Sequence, residues 1–209
     1  MKLRYDTRED AAALYGILED DLVLDVGCGP GDRSQYYESA VSTYFQRADV
    51  ITDVIPQLAG VHKDRKSFAE KEGQFYPEFV LSSVESLPFK DKSFQFVWCA
   101  QILEHVDNPE VACKELMRVG ERGQIRAPST VKEFFRPNPD HKWLVAWEDN
   151  VLIFQRKPAL FFHPVHRNLF HDQSVVEWYN MRIPIKDLPV RIHETTFDWA
   201  ESFEVEVLN

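Results

Sequence analysis

The glycines of the segment LVLDVGCGPG have the most informative spacing in this chain. They follow an apolar run and the carboxylate of Asp25, and they are Gly27, Gly29 and Gly31. Glycine lets a loop adopt positive φ and lets a ligand approach the backbone closely, as a nucleotide-type cofactor requires. A dinucleotide loop needs another glycine at the position of Asp32, where an acid would repel a pyrophosphate. The pattern predicts a positively charged ligand without phosphate, against the alternative of a tight turn that binds nothing.

A second acid follows the next apolar run. In the segment VITDVIP, Asp53 comes at the end of the predicted strand, where a carboxylate can accept hydrogen bonds from both hydroxyls of a ribose. Asp49 is a weaker candidate, because it lies at the opposite end of the same strand. An ordinary loop acid is the alternative interpretation of Asp53.

Several further motifs follow in order along the chain. The first is L-P-F at 87–89, followed by S-F-Q-F-V at 93–97, L-E-H-V at 103–106 and ELMRV-G at 115–120. Together with the glycine loop they resemble the type-11-like branch of the class I S-adenosylmethionine-dependent methyltransferases. The resemblance covers about residues 22–128. Two positions depart from the family pattern, since Ser83 and Gln95 stand where an aspartate is common.

The resemblance implies a fold, a cofactor and a set of contacts. The fold would be α/β and Rossmann-like, with a mostly parallel seven-stranded sheet, helices on both faces and a cap insertion after the fifth strand. The cofactor would be S-adenosylmethionine. The family pattern places the methionine end of this cofactor at the glycine loop and its ribose at Asp53. It places the adenine at a turn after the third strand, and the ammonium group at the end of the fourth strand. The implied residues are Asp25, Gly27, Cys28, Gly29, Gly31, Asp53, Ser83, Val84, Glu85, Cys99 and Gln101.

Histidines are the candidates for proton transfer, because histidine titrates near neutral pH. His141, in the segment PNPDHKW after the fifth strand, is the predicted general base, with a surface histidine as the alternative. His105 is assigned a structural role at a helix start. A metal site is not predicted, because Pro164 interrupts the trio His163, His166 and His171.

The elements that would position these residues alternate between strands and helices. Strands are predicted at about 22–26, 48–54, 79–82, 94–99 and 123–127, and helices at about 8–19, 33–45 and 109–119. Such alternation predicts a parallel sheet. Asn108 as N-cap, Pro109 in the first turn and Gly120 after the end mark the last helix. Residues 143–155 predict two strands around an Asp149-Asn150 turn.

Length and charge limit the possible functions. The chain has 209 residues, 44% hydrophobic, and a formal net charge of −10. This predicts one domain over 1–209, with a cofactor core at 22–128, a substrate-side insertion at about 129–190 and a closing hairpin at about 194–209. The acidity argues against a bulk nucleic-acid partner. Three cysteines without a C-x-x-C pair predict free thiols in a reducing compartment, and no apolar run suits a membrane span, so the expected location is cytoplasmic.

The predicted function is methyl transfer to an unidentified small-molecule or glycan-type acceptor. A nicotinamide enzyme is disfavoured by Asp32. The alternative function is an inactive module that binds the cofactor and acts on a protein partner through its aromatic cap.

Overall fold

The computed structural model describes residues 13–29, 48–135, 137–158 and 194–208. The predicted helix at 33–45 lies outside these residues. The chain divides into two compact units, of which unit 1 comprises residues 1–99 and 114–123, and unit 2 comprises residues 100–113 and 124–209. Because the units interleave along the chain, they are not two consecutive domains, and the single-domain organisation stays a prediction.

Four parallel strands form the sheet of unit 1. Strand β1 pairs with β2 on one side and with β4 on the other, and β2 pairs with β3. The strands are β1 (Val23–Val26), β2 (Val50–Asp53), β3 (Glu78–Leu81) and β4 (Phe96–Ala100), whose last residue belongs to unit 2. The order β3-β2-β1-β4 is that of the first half of a Rossmann-like fold. The prediction of a Rossmann-like parallel sheet is therefore confirmed, whereas the number of seven strands stays a prediction.

The core of unit 1 lies around β1 and β4. Val23, Trp98 and Ile51 are at most 1% exposed and belong to one apolar cluster. The ring of Tyr15 packs edge-on against Trp98, with ring centroids 5.2 Å apart. Near-continuous apolar strands such as VLDV and FVWCA are typical of a parallel sheet that is covered on both faces.

One helix of unit 1 was not predicted. Helix α1 (Leu58–Lys71) buries only three residues, Leu58, His62 and Ala69, and most of the rest of its sequence is polar or exposed. Its end is marked by Gly73, which has φ of +67° and allows the chain to leave the helix. A helix with so narrow an apolar stripe gives a weak periodic signal in the sequence.

Helix α2 (Pro109–Val119) has the predicted bounds. The side chain of Asn108 accepts a hydrogen bond from the N–H of Val111 at 3.1 Å, as expected of an N-cap. In unit 1, Arg118 near the end of this helix donates to the carbonyl oxygens of Leu87 and Phe89 at 2.9 and 2.7 Å. Glu115 in turn accepts from the N–H of Leu87 at 2.8 Å. The motifs L-P-F and ELMRV therefore form one structural contact.

The described residues of unit 2 contain most of β5 (Arg122–Pro128), a short helix α3 (Thr130–Phe135) and four further strands. These strands are β6 (Trp143–Glu148), β7 (Val151–Arg156), β8 (Glu194–Ala200) and β9 (Glu204–Leu208). Strands β6 and β7 form the predicted antiparallel hairpin. Asp149 and Asn150 have φ of 45° and 65°, as a type I′ turn requires.

The closing hairpin predicted for 194–209 is wrong. Strand β8 lies beside β5 in one sheet, whereas β9 pairs in parallel with β7 in a three-stranded sheet. The two strands therefore belong to different sheets, although three residues separate them. Alternating apolar residues predicted both strands, but alternation does not specify which strand each one pairs with.

The described cysteines Cys28, Cys99 and Cys113 are buried free thiols, as predicted. Among the described helices, none is long and apolar enough to cross a membrane.

Candidate functional site

The glycine loop begins where β1 ends and is held by hydrogen bonds to β2. The N–H groups of Gly27 and Cys28 both donate to the carbonyl oxygen of Thr52, at 2.8 and 2.9 Å. Gly27 and Gly29 have φ of 73° and 62°, which residues with side chains adopt only at a cost. Among the described residues, no atom lies within 4 Å of a Cβ built on Gly29. Within the part of the chain that the structure describes, the space beside Gly29 is open, as a loop that admits a ligand requires.

The carboxylate of Asp53 joins the end of β2 to the glycine loop. Its Oδ2 accepts from the N–H of Gly29 at 2.8 Å, and its Oδ1 accepts from the N–H of Ile55 at 3.0 Å. Asp49 lies at the other end of β2, where its Oδ2 accepts from the N–H of Val23 at 2.8 Å. The two acids therefore lie at opposite ends of the strand, with Asp53 at the loop.

His62 of α1 supports the loop, and sequence reasoning missed it. Its Nε2 lies 3.0 Å from the carbonyl oxygen of Gly29, and its Nδ1 lies 2.7 Å from the hydroxyl of Tyr76. Burial lowers the pKa of His62, which favours the neutral ring that this pair of contacts fits, with Nε2 donating and Nδ1 accepting. His62 lies in a mostly polar helix without a recognisable motif, so the sequence does not indicate that this histidine contacts the glycine loop.

The other predicted cofactor residues of unit 1 follow the same strands. Asp25 in β1 is 2% exposed, and Cys99 in β4 is paired with Val26 of β1. After β3, the hydroxyl of Ser83 accepts from the N–H of Glu85 at 3.2 Å, and Val84 between them is buried. Because parallel strands end at one edge of the sheet, these segments share the edge that carries the glycine loop.

Several candidate residues from the sequence do not belong to the described part of unit 1. Gln101 belongs to unit 2, where its N–H donates to the carbonyl oxygen of Arg126 at 2.7 Å and its side chain contacts Glu194 at 3.4 Å. Gly31 and Asp32 lie outside the described residues. So do His163, His166 and His171.

In unit 2, His141 lies in a buried polar cluster rather than at the surface. It is 6% exposed, and its Nδ1 lies 2.6 Å from Oε1 of Glu133 on α3. The other oxygen of Glu133 accepts from the ammonium of Lys157 at 2.7 Å. Burial alone would raise the pKa of Glu133, but the hydrogen bonds from His141 and Lys157 outweigh it and lower that pKa. Glu133 is therefore an ionised partner that orients the imidazole.

Glu104 and His105 complete this cluster. Glu104 Oε1 lies 4.0 Å from Nε2 of His105 and 4.0 Å from Nε2 of His141. The two imidazole rings pack edge to face, with centroids 4.6 Å apart. Burial raises the pKa of Glu104 to about 8 and lowers that of His105. The structural role predicted for His105 stays open, because its ring faces two titratable side chains.

The backbone explains how two distant motifs meet. The carbonyl oxygen of Glu104 accepts from the N–H groups of Lys142 and Trp143, at 2.7 and 3.2 Å. The indole of Trp143 donates to the carbonyl oxygen of Val106 at 2.9 Å. The start of β6 is thereby fixed against the L-E-H-V segment, and this pairing brings His141 to Glu104.

Comparisons with known proteins agree with the geometry of unit 1. Residues 24–125 match the family model of a methyltransferase domain. This segment is a class I methyltransferase domain of the type-11 branch. Methyltransferases of this class use S-adenosylmethionine, which is the cofactor of this domain.

Relatives of the methyltransferase domain occur in several organisms. An uncharacterized methyltransferase of Schizosaccharomyces pombe is 31% identical over 112 residues, which cover 51% of this chain and 38% of the relative. The ubiquinone/menaquinone biosynthesis C-methyltransferase UbiE of Xylella fastidiosa is 30% identical over 121 residues, with 56% and 46% covered. The crystal structure of YcgJ from Bacillus subtilis has 19% identity and a TM-score of 0.47, with 66% and 61% covered. The chain thus spans about half the length, or less, of these curated relatives.

Proposed function

We propose that this chain transfers the methyl group of S-adenosylmethionine to a small-molecule or glycan-type acceptor. The observation that carries the proposal is the glycine loop, in which Gly29 has positive φ, no described atom within 4 Å of a built Cβ, and an N–H that donates to Asp53 at 2.8 Å. The bound cofactor supplies an activated methyl group, which an acceptor lone pair takes while the C–S bond breaks. The chain therefore needs mainly to hold and align its ligands.

The cofactor contacts that we propose follow the strands of unit 1. The methionine end would lie against Asp25 and the loop formed by Gly27, Cys28, Gly29 and Gly31. The ribose would hydrogen-bond to Asp53, because each oxygen that already accepts a backbone N–H has a second lone pair. Ser83, Val84 and Glu85 would border the adenine, and Cys99 and Gln101 the ammonium.

The acceptor is proposed as a small molecule because the net charge of −10 opposes polyanion binding. The names of the relatives do not fix the acceptor atom. One is a C-methyltransferase of quinone biosynthesis, and another, from Pseudescherichia vulneris, is a malonyl-[acyl-carrier protein] O-methyltransferase. None of these methyltransferases supports the alternative of an inactive binding module.

Free buried thiols support a reducing compartment, and we propose that the protein lies in the cytoplasm.

His141 is the residue that we propose acts on the proton of the acceptor. Glu133 holds its Nδ1, so the proton of a neutral ring lies on that side, and the lone pair of Nε2 faces the side-chain amide of Asn138 at 2.9 Å. A ring oriented by a carboxylate in this way is suited to receive a proton or to bind a cation.

Calorimetric titration tests the cofactor part of the proposal. The chain should bind S-adenosylmethionine or its demethylated product, and should not bind NAD. Gly29→Val should abolish this binding, because its side chain would fill the open space beside the loop. Gly73→Val is the matched control, since Gly73 also has positive φ and no described atom within 4 Å of a built Cβ, but lies at the end of α1. Saturable binding of NAD without S-adenosylmethionine would overturn the proposal.

Turnover tests the enzyme part. The protein with labelled S-adenosylmethionine should label an acceptor in a small-molecule extract, and Gly29→Val should not. Cofactor binding without turnover in any extract would favour the inactive module.

A further inference from the structure

Three potential ligand atoms converge in unit 2. A carboxylate oxygen of Glu104 and one ring nitrogen each of His105 and His141 all lie within 4.8 Å of one another. Glu104 is 1% exposed, and both of its carboxylate oxygens lack a hydrogen-bond partner among the described residues. A buried carboxylate without partners is costly, so the fold would gain from a cation or proton at this position.

The outer contacts of the two histidines determine which nitrogens face Glu104. The Nδ1 of His105 lies 3.1 Å from the carbonyl oxygen of Asp140, and the Nδ1 of His141 lies 2.6 Å from the carboxylate of Glu133. Both partners are acceptors, so each Nδ1 carries the proton of a neutral ring. Each Nε2 therefore carries a lone pair, and each lies 4.0 Å from Oε1 of Glu104. One oxygen and two nitrogens, each with a lone pair, therefore lie close together. A single added proton could form a hydrogen bond between only two of these three atoms.

The side chain of Asn138 contacts the other ring nitrogen of His141. Its Oδ1 accepts from the N–H of Asp140 at 3.0 Å, which directs its Nδ2 to the Nε2 of His141 at 2.9 Å. The Nε2 therefore accepts in this arrangement. A cation bound to Nε2 would displace this amide hydrogen bond, whereas the contact between Nδ1 and Glu133 would remain.

We propose that Glu104, His105 and His141 bind a divalent transition-metal cation such as Zn²⁺. Ligand atoms that each lie about 2 Å from Zn²⁺ are separated by roughly 3 to 4 Å, so the two 4.0 Å distances from Glu104 need only a small contraction. Two imidazoles and one carboxylate favour a first-row transition metal over Mg²⁺, which prefers oxygen ligands. Glu133 orients one ligand from outside, as carboxylates commonly do at histidine-metal sites.

This cation site deepens the proposed function, and only its use in catalysis rests on that function. Three protein ligands leave coordination positions for water or for an oxygen of the acceptor. A hydroxyl of the acceptor bound there would release its proton to water more readily, and His141 would then act as a ligand of the cation and not as a free base. The acceptor would accordingly bear a hydroxyl or carboxyl oxygen, in contrast to an acceptor that is methylated on carbon or sulfur.

Direct metal titration of the full chain tests the site without reference to activity. Protein freed of metal by a chelator is titrated with Zn²⁺ by calorimetry and with Co²⁺ by visible absorption, and Mg²⁺ is added in a parallel titration. We expect one Zn²⁺ per chain, a Co²⁺ spectrum typical of nitrogen and oxygen ligands, and no comparable binding of Mg²⁺. Glu104→Gln and His105→Gln should each lower the Zn²⁺ affinity more than tenfold. Glu133→Gln should lower it by about 10 to 100-fold, as for an outer partner.

Control variants separate this site from metal binding elsewhere on the chain. Glu110→Gln on the exposed side of α2 should leave Zn²⁺ affinity unchanged. A variant with His163, His166 and His171 all changed to Gln should also bind Zn²⁺ normally. Gly29→Val should bind Zn²⁺ as the wild type does, so a failure of cofactor binding is distinguishable from a failure of metal binding.

Folding of the ligand variants is checked by thermal unfolding. If Glu104→Gln does not fold, His105→Gln serves in its place, because His105 is half-exposed. Wild-type protein that binds Zn²⁺ no better than these two variants would overturn the proposal.

Discussion

Replacing Asp53 by alanine tests the link between β2 and the glycine loop. The change leaves two backbone N–H groups, those of Gly29 and Ile55, without their present acceptor. A hydrogen bond to a charged group typically contributes about 1.5–3 kcal/mol, and two bonds to one carboxylate are not fully additive. Because Asp53 is 7% exposed, water reaches these groups only in part. We expect the free energy of unfolding to fall by about 2–4 kcal/mol.

The same variant should bind the cofactor more weakly. The loop loses the contact that holds Gly29, and the ribose loses its proposed acceptor, so the affinity for S-adenosylmethionine should fall roughly tenfold or more. Asp49→Ala is the matched control, because Asp49 also accepts one backbone N–H at 2.8 Å but at the opposite end of the strand. That variant should lose stability and retain cofactor affinity.

Urea unfolding gives the stability of both variants, and calorimetry gives the affinity of each folded protein. A large loss of affinity in Asp49→Ala, with Asp53→Ala near the wild type, would refute the assignment of the ligand edge. Unchanged stability in Asp53→Ala would show that its two hydrogen bonds do not hold the loop.

Three further predictions concern the surrounding structure. Gly29→Ala should cost about 1–2 kcal/mol of stability from its positive φ alone, measured by urea unfolding, and a neutral effect would contradict the observed loop conformation. Asn108→Ala should lower the unfolding free energy by about 1 kcal/mol through loss of the N-cap, and Asn108→Asp should retain it. The hydrogen bond from Arg118 lowers the pKa of Glu115 in the folded protein below its ordinary value of 4.5. The contact therefore stabilises the fold fully at pH values above 4.5, and this stabilisation is lost as the pH falls through the lower pKa of the folded state. The stability gap between wild type and Glu115→Gln should therefore narrow in acid, and a constant gap from pH 7 to pH 2 would contradict it.

The sequence predicted the elements that local signals mark. Asn108 at the N-cap and Gly120 after the last residue predicted the bounds of α2. The Asp149-Asn150 turn predicted the hairpin of β6 and β7. Both depend on residues that are close in the chain, where capping and turn conformation are decided. The glycine loop and the two acids of β2 were predicted for the same reason, since strand ends are visible in the apolar pattern.

Elements with weak periodicity or distant partners were missed. Helix α1 is polar on most of its surface, and the contact between His62 and Gly29 joins residues that are 33 positions apart in the sequence. The partners of β8 and β9 were not predicted, because many alternating strands can pair with either neighbour.

The sequence predicted His141 as a candidate because it follows the fifth strand, but it did not predict which residues surround His141. Glu104 lies 37 positions earlier, and Glu133 and Lys157 come from α3 and from the end of β7. Each of these residues alone resembles an ordinary charged side chain.

By itself the sequence determined the glycine loop, the strand ends and the cofactor class, because these depend on residue types at short spacing. Only the tertiary structure decided that Glu104, His105 and His141 meet in a buried site, because burial and the pairing of distant segments set the charge and hydrogen bonding of such groups.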